Sequence, residues 1–480
     1  MKTIFAATAA AAALAALAVP AQAQNWSTAA KQDLKAIHDT LAANSPAPHV
    51  ERDSAGFRSW LDAGYAQVTA LDLNKINNPA AYDYALRAYV GGFRDANIQV
   101  LPNWAPPAPW YAVTWPGFST AWRNNGYVVA YSAGGSKLPP VGAQLTACDK
   151  KPIADIAKQR LDRFEGNLNL ESDRFKTAPY LLWERANPWI GLVPLKCDFL
   201  VNGKKKSYTI TPQIGGEAER KAAFMAAAAK PQGIGLEQVN GGYWISLHTL
   251  EEGQPWDGLF AQIDGARDAI RNAPVVVIDL RGADAGTAAR GYSVINRLWD
   301  PVFIQSKQPT SVDMAYRVSP NNRAFYAEAL ARMNANDLYF YQRPRWQQHL
   351  TEFDAALAAQ QPLLRRNEGA KLTDAVPENP MKSGKIIVLT DYWCTAGCLD
   401  MVDILRSLPN VTHAGAPTGA DTIFVGHVEA QLPSGQSRIG YGDKAWLDRQ
   451  RLSYQPFTPS KLYTGDLNNE QAVRAWVAGL

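Results

Sequence analysis

The sequence predicts an α/β protein, more closely an α+β multidomain chain, with a helical N-terminal segment, a β-rich middle domain and a strand-and-helix core at its C-terminal end. Two observations predict the core. Residues 275–280 and 385–390 are apolar runs of the kind that strands show when both faces of their sheet are covered. After the second run, apolar residues recur at helical spacing from Met401 to Leu408, until Pro409 ends the pattern.

The first 23 residues form a predicted signal peptide. Lys2 is followed by an alanine-rich apolar run over residues 4–19, then by Pro20 and a small-x-small sequence at 21–23. The mature chain is expected to begin at Gln24 and to be periplasmic or secreted. No later run approaches about 18 apolar residues, so no membrane span is expected after the signal is removed.

Charge and cysteine content narrow the class of protein further. The 480 residues carry a formal net charge of +4, which is too small and too evenly spread to indicate nucleic-acid binding. Four cysteines are an even number in an oxidising compartment. Three pairings can be drawn, of which we favour Cys148 with Cys197 and Cys394 with Cys398.

Residues 24–103 are predicted to be a helical segment. Leu34, Ile37 and Leu41 lie on one face of a helix over residues 31–41, and further helices are predicted over 55–71 and 79–93.

Residues 104–230 are predicted to be a β-rich domain, entered through a connector rich in proline and tryptophan. A strand is predicted over 126–131, a hairpin turns at Asn202-Gly203, and a helix or linker covers 217–230. Residues 141–153 resemble the strand-and-turn of a PDZ domain, a module that binds an extended peptide as an added strand. A plain β-rich domain joined by Cys148 and Cys197 explains the same residues.

Residues 231–480 are predicted to hold the α/β core. Strands are predicted over 242–247, 275–282, 385–390, 425–432 and 437–441, and helices over 256–270 and 468–477. A largely helical insertion over 319–369 could shape a groove or lid, although such an aromatic stripe is more often part of a core. Its aromatic residues include Phe325, Tyr326, Tyr339, Phe340, Tyr341 and Trp346.

A sharp turn over residues 394–398, Cys-Thr-Ala-Gly-Cys, joins the strand at 385–390 to the following helix. A side chain on such an elbow sits at the helix N-terminus beside unpaired backbone N–H groups, the usual geometry for a nucleophile with its oxyanion hole. Here that position holds Ala396 or Gly397.

This stretch resembles the core of the tail-specific, or carboxyl-terminal-processing, serine peptidases. In that family a Ser-Ala pair at the helix start is followed about nineteen residues later by Gly-x-x-Thr, which residues 415–418 match. The match places the family's serine at Ala396 and its general-base lysine at Asp421. A register shifted by one, with Asp400 as the family's acidic residue, places the serine at Gly397. Neither register supplies a hydroxyl.

A second match lies at residues 279–286, which resemble the family's Asp-Leu-Arg-x-Asn-x-Gly-Gly. Small residues there let a backbone N–H approach a substrate carbonyl, so the resemblance implies an oxyanion hole formed by the backbone of Gly286 and Gly397. A turn that uses glycine only for its dihedral angles explains the same residues. Asp279 and Arg281 are expected to form a structural ion pair.

The family's histidine positions are also altered. An acidic-Leu start, a His-Pro and a later Asp-x-His are common in its N-terminal segment. Here Asp33-Leu34 is present, whereas Ser45-Pro46 and Asp95-Ala96-Asn97 occupy the histidine positions. His38 and His49 are therefore expected to be surface or packing residues.

Thr418, His413 and His427 are further candidate site residues near the elbow. His413 and His427 flank the loop that contains Thr418, and either could face the elbow, although packing is the commoner role for a lone histidine in a strand-rich region. Thr395 is one residue out of register, and Cys398 is expected to be in a disulfide.

Two functions remain open. The first is an exported serine-type peptidase that acts on or binds extended segments of proteins. The alternative is a catalytically silent pseudopeptidase that serves as a peptide- or protein-binding module. The expected partner is an unfolded or extended polypeptide in both cases. No cofactor is expected, and no His/Cys/Asp cluster with ligand spacing predicts a metal site.

Overall fold

The computed structural model describes residues 25–480, except residues 240, 336–341, 370, 371 and 373. The predicted signal peptide and the predicted mature start at Gln24 lie outside the described residues, as do Tyr339, Phe340 and Tyr341 of the insertion. Among the residues described, no helix combines the length and the apolar character that crossing a membrane requires.

The N-terminal segment forms three helices, where the apolar periodicity predicts them. These are α1 (Trp26–Asn44), α2 (Ala55–Thr69) and α3 (Pro79–Val90). Asn25 caps the start of α1, where its side chain accepts the N–H of Thr28, and Asn78 caps the start of α3, where its side chain accepts the N–H of Ala81. Such caps satisfy backbone donors that the first helical turn leaves free. A short strand, β1 (Gln99–Pro102), follows.

The middle of the chain forms a β-sheet with the strand order β2-β3-β4-β6-β7, and β5 pairs with β4. Its elements are β2 (Phe118–Arg123), β3 (Gly126–Ser132), β4 (Gln144–Cys148), β5 (Lys151–Pro152), α4 (Ile153–Arg160), α5 (Glu171–Thr177), β6 (Lys196–Val201), β7 (Lys204–Thr209) and α6 (Glu217–Ala228). Cys148 and Cys197 face each other on β4 and β6 and form a disulfide, so this predicted pairing is confirmed. The predicted hairpin at Asn202-Gly203 joins β6 to β7.

The C-terminal core is a six-stranded sheet with the order β19-β14-β13-β10-β9-β8. Its strands are β8 (Ile234–Val239), β9 (Gly242–Leu247), β10 (Val275–Asp279), β13 (Lys385–Thr390), β14 (Val411–Gly415) and β19 (Lys461–Leu462). All neighbours are parallel except β8, which runs antiparallel to β9. The apolar runs of β10 and β13 lie side by side in the middle of this sheet, as expected for strands buried on both faces.

Helices cover both faces of the core sheet. They are α7 (Trp256–Arg271), α8 (Ala289–Leu298), α9 (Pro301–Gln305), α12 (Gly397–Ser407) and α13 (Glu470–Ala478). Side chains of α7, α8 and α12 pack on the face that carries Ile278 and Val388, and α13 packs on the face that carries Val277 and Ile387. The carboxyl ends of the parallel strands therefore meet at one edge, where ligands usually bind in such sheets.

The predicted insertion is only partly helical. It contains α10 (Pro320–Asn334) and α11 (Arg343–Ala358), but its end forms a strand, β12 (Leu363–Asn367), because these residues pair with β11 (Asp313–Arg317). The sheet β12-β11-β18-β15 is completed by β15 (Phe424–Val425) and β18 (Lys444–Trp446). Phe353, which is fully buried, lies in the apolar cluster between this sheet and the two helices.

A fourth sheet joins the two ends of the chain. Strand β1 pairs with β17 (Ser437–Tyr441), which pairs with β16 (Val428–Gln431). Leu34 and Tyr82 of the N-terminal helices share one buried cluster with Ile439 of β17. The described chain has 13 helices and several mixed or antiparallel sheets, so the α+β architecture is confirmed.

Candidate active site

The elbow at residues 394–398 connects the carboxyl end of β13 to the start of α12. Ala396, the residue before the helix, has φ 51° and ψ −127° and is exposed. This region of backbone conformations is strained for a residue with a β-carbon, and such strain is concentrated at functional positions. The strained, exposed residue of a strand-to-helix elbow is the position that carries a nucleophile in enzymes built this way. The geometry therefore favours the register with Ala396 at the family's serine position.

A disulfide brackets this strained residue. Cys394 and Cys398 are both fully buried and are bonded to each other, so the predicted pairing is confirmed. The bond ties the end of the β13 segment to the first turn of α12. It therefore holds the elbow in place from both sides of Ala396.

The segment after β10 packs directly against the elbow. The N–H of Thr395 donates to the carbonyl of Ala283 at 3.1 Å, and the N–H of Gly397 donates to the carbonyl of Gly286 at 3.3 Å. A β-carbon at Gly397 would lie 2.5 Å from the backbone nitrogen of Ala288, so only glycine fits this approach. The two glycines that the resemblance implies for an oxyanion hole are thus in contact, and the N–H of Gly397 is already hydrogen-bonded.

The nucleophile-type side chains around Ala396 are engaged elsewhere. The hydroxyl of Thr395 donates to the carbonyl of Asp284 at 2.9 Å. The hydroxyl of Thr418, which is buried, donates to the carbonyl of Gly419 at 2.7 Å and accepts the N–H of Phe457 at 3.0 Å. Cys398 is in the disulfide. Each of these groups has a structural partner, and a nucleophile needs instead a nearby base and an open approach.

Asp421, which the sequence resemblance aligns with the family's lysine, is held by two buried arginines. Its Oδ2 atom lies 3.1 Å from Arg449 and 2.9 Å from Arg451. Arg451 also pairs with Asp400 at 2.9 Å and with Asp403 at 3.4 Å, which are both on α12. The carboxylate of Asp421 is therefore engaged in ion pairs with two arginines and is not free to act as a base toward residue 396.

The N-terminal segment adjoins this loop at the family's Asp-x-His position. Thr422 donates its hydroxyl to Asp95 at 2.9 Å, and Asn97 donates its side-chain N–H to the carbonyl of Phe424 at 2.8 Å. Burial raises the pKa of Asp95 to about 6. The segment that the resemblance aligns with the family's Asp-x-His therefore lies beside Asp421, and it offers the amide of Asn97, which cannot serve as a base.

The two histidines considered for the elbow have other partners. His413 lies in β14 and is buried, with its Nε2 atom 2.9 Å from the hydroxyl of Thr390. Burial lowers its pKa to about 4. His427 is half exposed and lies 3.0 Å from Glu429. Within the described chain, neither histidine forms a hydrogen bond with residues 394–398.

A third histidine, His248, was not singled out from the sequence. It follows β9, and its Nε2 atom lies 3.1 Å from Asp279 while its Nδ1 atom lies 3.1 Å from the carbonyl of Gln232. Both partners can only accept, so both ring nitrogens carry protons and the ring is an imidazolium. Burial opposes this charge, but the hydrogen bond to Asp279 raises the pKa of His248 above its usual value. The sequence did contain a signal for His248. This residue directly follows the core strand β9, and Asp279 is the last residue of the neighbouring strand β10, so both lie at the same edge of the sheet.

The predicted ion pair of Asp279 and Arg281 is confirmed. Both side chains are buried, 2.7 Å apart, and Arg281 also reaches Glu470 of α13 at 2.8 Å. Burial opposes ionisation of Asp279, yet the charge of Arg281 holds the pKa of this carboxyl well below its usual range. This network fixes the start of the loop that packs on the elbow. Among the described residues, no group of three or more histidine, cysteine or carboxylate side chains is placed to hold a metal ion.

Known structures share this arrangement of elements. A serine-to-alanine mutant of CPAF superimposes with a TM-score of 0.58 over 94% of this chain and 95% of that chain, at 13% sequence identity. Mature CPAF complexed with lactacystin gives a TM-score of 0.58 over 95% of this chain and 97% of that chain, again at 13% identity. The chain has the fold of CPAF.

The predicted resemblance to tail-specific peptidases is thereby confirmed for the fold. The photosystem II D1 C-terminal processing protease also aligns over 92% of this chain, but its TM-score of 0.35 is too low to support a comparison of the two structures. No family model matches the sequence, and no curated protein matches it. At 13% identity the likeness to CPAF shows the fold alone. Whether this chain has peptidase activity depends on the residues of its own elbow.

Proposed function

We propose that this chain is a catalytically silent protein with a peptidase fold, which binds extended polypeptide without cleaving it. The observation that carries the proposal is Ala396, an exposed and strained elbow residue with a methyl group where a peptidase of this fold needs a nucleophile. The backbone arrangement for presenting a side chain is intact. The reacting atom is missing.

The surroundings of Ala396 support the same conclusion. Nucleophilic catalysis needs a base within hydrogen-bond reach and free donors for the oxyanion. Asp421 is neutralised by Arg449 and Arg451, and the N–H of Gly397 is bonded to Gly286. Restoring one hydroxyl would therefore supply only one of the three elements that the reaction needs.

An open sheet edge supports polypeptide binding. Strand β8 is the last strand of the core sheet, and its outer edge pairs with no strand among the described residues. The loop before β8 reaches the site, because the carbonyl of Pro231 would lie 2.6 Å from a β-carbon at Gly282. An extended segment can pair with such an edge through main-chain hydrogen bonds, which recognise a polypeptide with little demand on its sequence.

Binding and cleavage can be measured in one experiment. A fluorescently labelled, permanently unfolded protein is mixed with the purified chain, and anisotropy and gel mobility are followed together. We expect the anisotropy to rise while the labelled protein stays intact. Fragments that accumulate in proportion to the concentration of wild-type chain would contradict the silent site, and an unchanged anisotropy would contradict the binding function.

We also propose that the mature protein is exported and begins at Gln24. The two disulfides support an oxidising compartment, since such bonds seldom persist in a reducing cytosol. Intact mass of the protein recovered from the periplasm or the medium tests the proposal. A product that begins at Met1 would contradict it.

The division into residues 24–103, 104–230 and 231–480, with a PDZ-like middle domain, is likewise a proposal. Limited proteolysis tests it, with first cuts expected near residues 104 and 230. Fragments that begin elsewhere would contradict these boundaries.

A further inference from the structure

A cavity of about 430 Å³ lies in the insertion, apart from the elbow. Four ring side chains of the described residues line it: Tyr316 from β11, Tyr326 from α10, and Trp346 and His349 from α11. The ring of His349 lies 4.6 Å from the rings of both tyrosines, and the rings of Tyr326 and Trp346 are 5.8 Å apart. Its volume falls in the range of small-molecule sites, which run from roughly 300 to 1,000 Å³.

The charged residues of the cavity wall are mainly cations. Arg345, Arg366 and Lys444 line it, with Glu368 as the one carboxylate among the described lining residues. Glu368 is already in contact with Arg345, accepts the hydroxyl of Tyr316 at 3.0 Å and lies 3.6 Å from Arg366. Lys444 lies 5.4 Å from the ring centre of Tyr316 and makes no ion pair with any described residue. Arg366 also lies 3.5 Å from Glu352, so Arg345 and Arg366 both have carboxylate partners. Lys444 is the cation of the wall that has none among the described residues.

His349 adds an unused donor to the same wall. Arg366 lies 2.8 Å from its Nδ1 atom, and since arginine only donates, Nδ1 accepts and the proton is on Nε2. Burial lowers the pKa of His349 to about 4, in keeping with a neutral ring. Among the described residues, the buried Nε2–H has no hydrogen-bond partner, although only 5% of His349 is exposed. Buried donors of this kind are nearly always satisfied, by protein, water or ligand.

We propose that this cavity binds a small aromatic acid, a planar ring that bears an anionic group. The ring packs against Trp346 and Tyr316, where aromatic faces favour offset or edge-on contact. Lys444 and Arg366 bind the anionic group with charge-assisted hydrogen bonds. A neutral aromatic molecule would leave the charge of Lys444 unmatched, and an inorganic anion would leave the ring surfaces uncovered.

Calorimetric titration of the full chain tests both parts of the proposal. The probes are benzoate, its neutral analogue benzamide and inorganic phosphate. We expect benzoate to bind at least about tenfold more tightly than either of the others, the size of effect given by one charge-assisted hydrogen bond. Equal affinity for benzamide, or no heat with benzoate, would overturn the proposal.

Two variants separate the charge from the rings. Lys444→Gln is expected to weaken benzoate binding roughly tenfold and to leave benzamide unchanged, whereas Trp346→Leu should weaken both probes. Lys204→Gln, at an exposed lysine of β7, is the matched control and should bind as the wild type does. Circular dichroism confirms that each variant is folded. If folded Lys444→Gln and Trp346→Leu both bind benzoate as tightly as the control, the cavity is not the site.

Discussion

Ala396 adopts a backbone conformation that a residue with a β-carbon seldom takes. Such conformations cost of order 1–3 kcal/mol and persist only where the surrounding structure enforces them. Here the enforcing contacts are the disulfide of Cys394 and Cys398 and the hydrogen bond from Gly397 to Gly286. The strain is therefore present although the side chain of Ala396 is a methyl group, which carries no reactive atom.

Replacing Ala396 by glycine should stabilise the protein. Glycine reaches this region without the β-carbon penalty, so Ala396→Gly is expected to raise the free energy of unfolding by about 1 kcal/mol, after the greater entropy of the unfolded chain is allowed for. Urea unfolding with intact disulfides measures it. Ala359→Gly is the control, because Ala359 has φ −82° and gains nothing from glycine. A loss of stability in Ala396→Gly would show that the elbow is not strained.

Asp421 should prove structural. It is 14% exposed and compensates two almost fully buried arginines, so Asp421→Lys, which would place three cations together, is expected to cost roughly 3 kcal/mol or more. Asp421→Asn should cost less than the lysine variant. Asp39→Asn, at a half-exposed salt bridge on α1, is expected to change stability by about 0.5 kcal/mol or less. If folded Asp421→Lys is as stable as the control, the ion pairs do not hold this loop.

His248 should make stability depend on pH. Its folded pKa is raised above the unfolded value of 6.5, so its contribution is fully present below pH 6.5 and is lost as the pH rises through the higher folded value. Urea unfolding from pH 6 to 9 is expected to show a loss in the wild type that is smaller in His248→Gln. His427→Gln, at a half-exposed histidine, should follow the wild type. Parallel curves for His248→Gln and wild type would contradict an imidazolium at this position.

At the scale of elements, the two disulfides should differ in what they contribute. Cys394 and Cys398 are four residues apart, whereas Cys148 and Cys197 are 49 apart. In the chain-entropy model the short loop is worth about 2 kcal/mol and the long one about 4 kcal/mol. Paired serine variants of each disulfide, compared by urea unfolding, are expected to show this order. A larger loss for the elbow pair would mean that its main effect is on the folded elbow.

Strong local patterns made the core elements predictable. The apolar runs of β10 and β13 and the helical spacing of α12 are each visible within about ten residues, and buried strands and amphipathic helices leave such patterns. Strands β12, β18 and β19 were not predicted, because each is defined by pairing with a strand far along the chain and not by a local apolar pattern.

The features of the candidate site that were predictable from the sequence are those formed by residues close together in the chain. The elbow, its disulfide and the pairing of Asp279 with Arg281 each follow from a few neighbouring residues. The partners of Asp421 lie 28 and 30 residues further on, in a loop with no regular pattern. The hydrogen bond between Gly397 and Gly286 depends on how two separate loops dock, which no local pattern specifies.

At the scale of the whole molecule, the two ends of the chain support the same region. The N-terminal helices share a buried cluster with β17, and β1 pairs with that strand. The same N-terminal segment places Asp95 and Asn97 against the loop after Asp421. The fold of CPAF is thus retained around an elbow at which we propose that Ala396, Asp421 and Asn97 stand at the family's serine, lysine and histidine positions.

Labelling with a serine-reactive phosphonate, read by intact mass, tests the silent site most directly. The wild type should gain no adduct. Ala396→Ser should label slowly at residue 396, since a serine without a base lacks assistance worth roughly 10²–10⁴-fold, and the matched control Ala359→Ser should not label. A phosphonate adduct on the wild-type chain, at any residue, would contradict the claim that this peptidase fold has no working nucleophile.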